Sequence, residues 1–504
     1  MLTWENELNT DLVRPVEIYG NVANSQVSFF MMNDKAYLMD GEHYLTYDGE
    51  TFSEVTPYVP KISISKDPAG GGVAYEDFNL LGKGFQDSFS ADGVATEFVL
   101  TLKELDDTPL TAGVNGTPMN EGNGFTVDRV NGKVTFNAAP EKGTNNVIIT
   151  AYKTFAGFAE RIKKCRFHVI YGGSNDTRVF VSGNPDMPEY VWASDLYNPA
   201  YFPENRFYKF PDKVMGFSKQ YDYLVIERAN GKHQVSFELN NGEASFPSKP
   251  INDQVGTIAP NSIQIIENNP VSLSKNGVYM LTASNVRDER NVSRLSEAVE
   301  AKLLKEPNLD KAISFEYDKK YWLAVNENVY LFDYAIGEWF LYNNIPATCF
   351  FEMDGYLYFG TKDGLIQRFY QDTEINAYHD DGKPISAYWK SKHFTFGADE
   401  QRKLVEKVYY ALKPATRTST DLYYVTNKKE SGLVKSNRMD LMDFRDLDFN
   451  NFSFLTSIFP QESAVKIKAK KVTHFQLILK NEKPDEALGI LSCGVKYKYQ
   501  SYVK

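Results

Sequence analysis

The stretch 329–368 constrains the fold more than any other part of the chain. It opens with VYLFDYAIGEWFLY and, after a short polar break, resumes as FFEMDGYLYFGTKDGLIQR. Aromatic and β-branched residues pack well on a pleated surface, and Asp-Gly is a strong hairpin signal. Asp354-Gly355 and Asp363-Gly364 supply such turns here. The stretch therefore predicts consecutive short antiparallel strands.

Weaker copies of this pattern recur along the chain. Their central strands place Leu224, Leu273, Leu323 and Leu357 at equivalent positions, with steps of 49, 50 and 34 residues. A four-stranded propeller blade takes roughly 40–50 residues. The sequence therefore predicts an all-β fold whose main body is an irregular β-propeller of about six blades. The candidate units are 27–58, 165–193, 214–240, 261–283, 312–342 and 347–370.

Two regions differ from the repeats. Residues 84–153 alternate in short runs separated by Asn and Gly, which is typical of a small immunoglobulin-like β-sandwich, and they interrupt the repeat series. Residues beyond 379 alternate over longer runs with few tight turns, which predicts a second β-sandwich. The expected domains are an N-terminal segment with the first blade (1–75), the inserted sandwich (76–157), the rest of the propeller (158–378) and the C-terminal sandwich (379–504).

One interval has helical periodicity. Apolar residues in 290–305 recur three or four positions apart, with acidic residues near the start. This spacing predicts a short amphipathic helix or helical turn lying on the propeller rim, with Ser293 or Ser296 as its cap.

The charge balance bears on the class of partner. The chain carries 66 acidic and 55 basic residues, a net charge of −11. A grip on nucleic acid needs clustered Lys and Arg, so the balance argues against one, although it is compatible with a conduit through which DNA slides. The two basic clusters, 161–164 and 466–471, are short, and the second alternates as a strand with one solvated charged face.

Cysteine usage and the N-terminus predict the compartment. Cys165, Cys349 and Cys493 are odd in number and far apart, so we expect small core residues in a reducing compartment rather than a disulfide framework. The first residues are polar and acidic, unlike a signal peptide, and no apolar run is long enough for a membrane helix. We expect a chain made in a cytoplasm, without membrane insertion.

The sequence contains no pattern typical of catalysis. Six His are scattered singly, among them His168 and His474 inside alternating strands, and no zinc, nucleophile-elbow or P-loop motif is present. We therefore predict no enzyme activity, no catalytic or metal-binding residue and no cofactor.

Three features of the sequence allow a second interpretation as sites of catalysis or ligand binding. A glycosidase would need paired carboxylates, but Asp333, Asp354 and Asp363 occupy turns where Asp has a structural role. Trp339 fits a strand that packs on its neighbour better than an exposed sugar platform. The turn 378–383 carries oxygen ligands that could hold Ca²⁺, although a complete calcium loop is absent.

Two regions resemble bacteriophage virion proteins. Residues 258–281 (IAPNSIQIIENNPVSLSKNGVYML), followed by the phrase VSRLSEAV, resemble the tail-nozzle and packaged-DNA-stabilisation proteins of short-tailed phages, and the resemblance extends over about 160–504. Residues 84–153 look like a small β-sandwich that recurs in phage virion proteins.

The resemblance implies a structural subunit without catalytic residues. Such proteins assemble as a six-fold ring below the portal and adaptor, where they form part of the channel for genome exit. The expected partners are thus copies of the chain, other tail proteins and DNA that passes without sequence-specific binding, and the expected location is the phage tail. An acidic lumen would repel phosphate and let DNA slide. A receptor- or carbohydrate-binding tail protein is the alternative, and a propeller glycosidase a further one.

Overall fold

The computed structural model describes residues 2–6, 13–282, 291–371, 377–427, 429–442 and 459–503, together with positions 374, 444, 449, 454 and 455. Within these residues strands predominate and the helices are short, so the all-β class is confirmed. The chain divides into two compact units, one of residues 1–351 and 359–366 and the other of residues 352–358 and 367–504.

Six antiparallel sheets, numbered 1 to 6 here, follow one another along the chain. In each, strands consecutive in sequence are neighbours, apart from a hairpin (Glu238–Asn240 and Glu243–Ser245) that interrupts sheet 3. The strands are Ser28–Met32, Lys35–Met39, Tyr44–Tyr47 and Phe52–Glu54 in sheet 1; Phe167–Tyr171, Arg178–Ser182, Tyr190–Ala193 and Phe207–Lys209 in sheet 2; Val214–Gln220, Tyr223–Arg228, Gly231–Val235 and Ser248–Asn252 in sheet 3; Gln264–Ile266, Asn269–Ser274, Gly277–Leu281 and Val292–Arg294 in sheet 4; Ile313–Tyr317, Lys320–Val325, Asn328–Asp333 and Glu338–Tyr342 in sheet 5; and Cys349–Met353, Tyr356–Gly360 and Ile366–Arg368 in sheet 6.

Short antiparallel strands are confirmed in all six predicted repeat units. Each unit overlaps one of the six sheets, but the fourth strands of sheets 2, 3 and 4 lie beyond the predicted bounds. The four equivalent leucines are at most 1% exposed. Asn33-Asp34 and Asp354-Gly355 have positive φ at both turn positions (54° and 58°, 52° and 77°), as a two-residue hairpin turn of the right twist requires.

Successive sheets pack through shared apolar cores. Phe30 and Tyr44 of sheet 1 join Trp192 of sheet 2, while Tyr171 of sheet 2 lies in one cluster with Leu224 of sheet 3. The same arrangement joins sheets 4 and 5 through residues that include Val271, Leu273, Val278, Tyr321, Leu323 and Tyr330. Buried side chains of these strands thus fill the space between the neighbouring sheets.

A buried polar network joins sheets 3 and 4. Glu227 and Lys232 form an ion pair that is almost completely excluded from solvent. Thr257 Oγ1 donates to Glu227 Oε2 (2.8 Å), and Lys232 Nζ donates to Ser272 Oγ (3.1 Å). Ser218 Oγ donates to the other Glu227 oxygen at 3.0 Å. Both charges therefore have hydrogen-bond partners, which a buried pair needs in order to be tolerated.

The segment between sheets 1 and 2 forms two sheets around one core. Three strands (Glu97–Val99, Lys133–Phe136 and Phe125–Asp128) face a larger sheet across a cluster of buried aromatic and aliphatic residues. The larger sheet comprises, in spatial order, Thr117–Asn120, Thr111–Val114, Val147–Tyr152, Gly84–Phe89, Lys61–Lys66 and Val73–Ala74. Lys61–Lys66 pairs in parallel with Gly84–Phe89, although it lies before residue 76, where the sequence places the start of the inserted sandwich.

The helical elements are short. They are Phe158–Lys163, Glu300–Leu303 and the 3₁₀ turns Pro260–Ser262 and Leu309–Lys311. The prediction of a helix starting near 290 is wrong over Val292–Arg294, which completes sheet 4. Neither predicted serine caps the helix: Ser293 lies in that strand, and the Ser296 hydroxyl instead accepts the Val278 N–H at 2.9 Å.

The second unit contains two sheets that share one core. Ala387–Lys390, Phe475–Asn481, Arg417–Thr426 and Lys435–Asp440 form one sheet, and Gln461–Val472, Gln401–Leu412 and Ile490–Tyr502 form the other. Val408 and Tyr410 of the second sheet meet Leu422 and Leu477 of the first. Two small hairpins, Leu2–Asn6 with Val13–Glu17 and His379–Asp380 with Lys383–Pro384, complete the strands described.

Candidate functional site

A cavity of about 600 Å³ lies where the first strands of the six sheets meet. Its volume falls in the range of small-molecule pockets. Every sheet contributes adjacent residues, all from the first unit. They are Ser28 and Phe29, Phe167 and His168, Gly216 and Phe217, Ile263 and Gln264, Ser314 and Phe315, and Cys349 and Phe350.

Each inner strand lines this cavity with two adjacent residues. In sheet 1, Phe29 is exposed to 47%, whereas the next residue, Phe30, is buried against sheet 2. Successive side chains of a strand point to opposite faces, so an adjacent pair such as Phe167 and His168 contributes one side chain from each face of the strand. The lining therefore includes side chains that also lie between sheets, as Ser28 and His168 do.

Hydrogen bonds link the inner strands across the cavity wall. The amides of Gln26 and Asn261 bond reciprocally at 2.6 and 2.5 Å, joining the approaches to sheets 1 and 4. Gln264 Nε2 donates to the Ser314 carbonyl at 3.0 Å, and Ser314 Oγ donates to the Asn261 carbonyl at 2.8 Å. These bonds fix polar side chains at defined positions on the wall.

Ser28 and His168 form a hydrogen-bonded pair between sheets 1 and 2. The Ser28 hydroxyl contacts His168 Nδ1, and the imidazole lies 5.1 Å from the Phe30 ring centroid. Burial lowers the pKa of His168 from 6.5 to about 4, so the ring is neutral at physiological pH. Serine catalysis also needs a carboxylate that orients the imidazole. None of the lining residues that the structure describes is Asp or Glu.

The chemistry of the lining is aromatic and uncharged apart from one cation. This cation is Arg166, which is exposed. Its side chain lies against Gly41, since its Nε is 3.1 Å from the position that a Cβ on Gly41 would occupy. The other described lining residues offer amides, hydroxyls, an imidazole, a thiol, phenylalanine rings and aliphatic side chains. This combination suits an uncharged polar ligand better than a phosphate or a metal ion.

Trp339 lies away from this cavity. Its indole Nε1 donates to the Leu295 carbonyl at 2.8 Å, and its ring centroid lies 5.0 Å from that of Phe332. The side chain is half-buried in the core between sheets 4 and 5. The interpretation of Trp339 as a residue that packs on its neighbour is confirmed.

Two of the three predicted turn aspartates, Asp354 and Asp363, lie in turns, and Asp333 is the last residue of its strand, directly before a turn. Asp333 Oδ1 accepts the Ala335 N–H at 3.1 Å, and Asp354 occupies a left-handed turn position with φ 52°. Asp363 is exposed in the turn before Ile366–Arg368. None of the three is among the described residues that line the cavity.

The turn 378–383 is a tight hairpin. Asp381 and Gly382 have φ 48° and 78°, and the Gly382 N–H donates to His379 Nδ1 at 2.8 Å. Within the described part of the chain, no group of three or more His, Cys, Asp or Glu could hold a metal ion. Likewise, no helix among the described residues is long and apolar enough to cross a bilayer.

The expectation that all three cysteines are small core residues is wrong for two of them. Cys165 is completely buried, and burial raises the pKa of its thiol well above the usual value. Cys349 and Cys493 are exposed, and Cys349 is one of the residues that line the cavity.

Sequence reasoning missed the two pairs that define the cavity. Ser28 and His168 are 140 residues apart, and Gln26 and Asn261 are 235 apart. No local pattern marks these residues, since each is an ordinary polar residue in or beside a strand. Only the predicted alternation of the inner strands could have indicated that His168 faces another sheet.

Comparisons with known proteins give no family. No family model matches the chain, and no curated protein matches it. The solved structures it is similar to include the extracellular domain assigned to a one-component system of B. thetaiotaomicron (TM-score 0.36, 11% identity, 87% of this chain and 46% of that one). The AfRom2 CNH domain has a TM-score of 0.29 and 10% identity, over 69% of this chain and 96% of that domain.

A third similar structure is PorZ, a surface component of the type-IX secretion system of Porphyromonas gingivalis (TM-score 0.26, 10% identity, 73% of this chain and 42% of that one). The chain spans less than half of the first of these structures, 46% of its length. At such TM-scores the similarity supports no inference about this chain.

Proposed function

We propose that the chain is a structural subunit of a bacteriophage virion, a tail nozzle or connector protein. Copies of it form a six-fold ring around the DNA exit channel below the portal and adaptor, retain the packaged genome and let it pass during ejection. The resemblance of two separate regions, 84–153 and 258–281, to phage virion proteins supports this assignment. The chain acts by its shape and not as an enzyme.

The proposed architecture is an irregular six-bladed β-propeller with two β-sandwiches. One observation carries it: the first strands of all six sheets line a single cavity. That arrangement is expected when four-stranded blades are placed radially around an axis. The two-layered core of the segment between sheets 1 and 2, and that of the second unit, support the inserted and C-terminal sandwiches.

Labelling of virions tests the function. An antibody raised against this chain is expected to decorate the tail of negatively stained particles, close to the capsid vertex. An antibody against a capsid protein serves as the positional control. Label confined to the capsid, or no label on purified particles, would refute the assignment.

Assembly is a second, independent readout. A nozzle subunit is expected to form a closed ring, visible as one discrete mass and a rotationally symmetric class average in electron microscopy. A chain that remains monomeric both alone and in the presence of portal and adaptor proteins would contradict the proposal.

The cavity favours one alternative, a carbohydrate-binding tail protein. Phenylalanine faces beside fixed amides and hydroxyls are the groups that bind uncharged sugars. Phe29 (47% exposed) lines the cavity, whereas Phe207 (45% exposed) is an equally exposed control that does not. A glycan-array signal that is lost in Phe29→Ala and kept in Phe207→Ala would support this alternative, and an array without signal would exclude it.

A further inference from the structure

Positive charge is concentrated at the C-terminal end of this acidic chain. Residues 367–504 carry 23 Lys and Arg against 17 Asp and Glu, a formal charge of +6. Because the whole chain has a net charge of −11, residues 1–366 carry a formal charge of −17. Such asymmetry within one chain is typical of a region that meets an anionic partner.

A row of lysines crosses one sheet of the second unit. The sheet has Gln401–Leu412 at its centre, flanked by Gln461–Val472 and Ile490–Tyr502. Lys407 is directly opposite Lys466 on one side and directly opposite Lys496 on the other. Directly opposed residues have Cβ atoms about 5 Å apart, and like charges at that distance repel. The three lysines therefore form a cross-strand row of positive charge, which we name the lysine row.

The surroundings of the lysine row are also basic. Lys468 and Lys498 are exposed on the neighbouring strands. Glu406 is ion-paired with Lys498 at 2.8 Å, and Lys498, with Lys496 and Lys407, lowers the pKa of its carboxyl group. Glu462 is the next carboxylate along its strand, about 13 Å from Lys466 at the rise of an extended chain. Positive charge thus exceeds negative charge on this face.

An accessible aromatic ring lies beside the lysine row. Tyr409, two residues after Lys407, is 40% exposed. Its cross-strand neighbours are Ala464 and Gly494, the smallest residues available, so neither covers the ring. A Cβ on Gly494 would lie 3.8 Å from the Tyr409 Cβ. An open ring flanked by lysines is the arrangement on which bases of a nucleic acid stack while phosphates meet the cations.

We propose that this face, comprising the lysine row and Tyr409, binds the phosphodiester backbone of nucleic acid without sequence preference. Residues spaced by two along a strand are about 6.6 Å apart, and the row adds a second direction, so several phosphates can be met at once. The net acidity of the rest of the chain keeps nucleic acid off other surfaces. The inference rests on the geometry of this sheet and is independent of the function proposed above.

Fluorescence anisotropy of the full chain with a short labelled oligonucleotide, single-stranded or duplex, tests the proposal. Binding is expected to weaken steeply with rising KCl. The triple variant Lys407→Gln, Lys466→Gln, Lys496→Gln is expected to bind about tenfold or more weakly, with a salt slope reduced by about three. The control is a triple variant of the first unit that removes the same amount of charge, Lys213→Gln, Lys302→Gln, Lys311→Gln. It is expected to bind like the parent.

Tyr409→Leu separates stacking from charge. It is expected to weaken single-strand binding by about tenfold and to leave duplex binding nearly unchanged, because bases of a duplex are already stacked. Tyr388→Leu, which removes a ring of 59% exposure from the other sheet of this unit, is the matched control. If both tyrosine variants bind single strands as tightly as the parent, the stacking role of Tyr409 is refuted.

Two results would overturn the proposal. The first is that the parent protein does not bind the oligonucleotide, or that both triple variants reduce its affinity equally. The other is salt-sensitive self-association that only the lysine-row triple abolishes, with no affinity for oligonucleotide, since the occupant would then be an acidic surface of a second copy. Thermal unfolding checks that the variants fold. Because the lysine-row triple variant removes like charges that lie directly across from one another, its melting temperature is expected to be unchanged or higher than that of the parent.

Discussion

The buried ion pair between Glu227 and Lys232 connects sheet 3 to Ser272 of sheet 4 through a hydrogen bond. Glu227 is 0% exposed and Lys232 is 1% exposed, and each has hydroxyl partners as well as the other's charge. The sequence could indicate that the two are cross-strand neighbours, because an Asn-Gly turn joins their strands. It could not indicate burial, since Thr257 and Ser272 belong to the next part of the chain.

Removal of one member of this pair is expected to destabilise the first unit strongly. Lys232→Met leaves the Glu227 charge buried without its counter-ion, and loss of about 3–5 kcal/mol of unfolding free energy follows. The combined change Glu227→Gln, Lys232→Met is expected to recover much of it. Urea denaturation measures both, with Lys133→Met at the exposed pair with Glu97 as a control that shifts the midpoint little. Equal losses at both sites would contradict this account.

His168 is expected to make stability depend on pH. Its pKa is about 4 in the folded protein and 6.5 when solvated, so the unfolded state takes up the proton first as pH falls. The stability is fully present above about pH 6.5 and falls by up to about 3 kcal/mol as pH decreases towards 4.

The measurement compares unfolding free energies near pH 7 and near pH 5 for the parent and for His168→Gln, which can still bond to Ser28. The decrease in stability between the two pH values is expected to be smaller in the variant. An identical decrease in both proteins would show that His168 does not contribute.

Strands and turns follow from short-range pattern, and the exceptions have local reasons. The repeat strands were predictable because apolar alternation and turn residues coincide in every unit. Lys61–Lys66 was missed because prolines and a glycine run flank it and its partner, Gly84–Phe89, is parallel and distant in sequence. The helix near 290 was extended too far because its apolar spacing in 292–295 also fits the edge strand of sheet 4.

Turn geometry in the inserted segment gives a test at the scale of one element. Gly132 has φ 66°, and a Cβ there would lie 2.3 Å from the Leu102 carbonyl oxygen; Gly122 has φ 88° with open space around it. Gly132→Ala combines strain with a clash and is expected to lose about 2–4 kcal/mol, against about 1 kcal/mol for Gly122→Ala. Thermal melts followed by circular dichroism measure the difference, and equal midpoints would contradict it.

Along the chain, the sequence predicts the six repeat sheets but not what they enclose. The repeat count and the all-β class follow from periodicity, whereas the cavity depends on side chains that meet across hundreds of residues. The lysine row has the same origin: the cluster 466–471 taken alone predicts a solvated charged face, because Lys407 and Lys496 join it only through strand pairing. The ring and the tail location stay predictions.

The second unit is expected to fold as a separate fragment. Its buried cluster draws on four strands between Val405 and Leu479, side chains of Ile490–Tyr502 pack against it, and together they form one two-layered core. A fragment of residues 378–504 is therefore expected to show β-type circular dichroism and one cooperative melt, whereas a fragment that begins at 413 lacks a central strand and is expected to remain unfolded. A non-cooperative melt of the longer fragment would contradict this expectation.

The contact between Gln26 and Asn261 also sets an order of events during synthesis. Ribosomes add about 5–20 residues per second, so the partner of Gln26 follows it by roughly 10–50 s. During that interval the segment 61–152 can complete its own core, while sheet 1 packs against sheet 2, Leu80, Leu81 and Ile162. Sheet 1 therefore gains its link to the approach to sheet 4 later than its contacts with sheet 2.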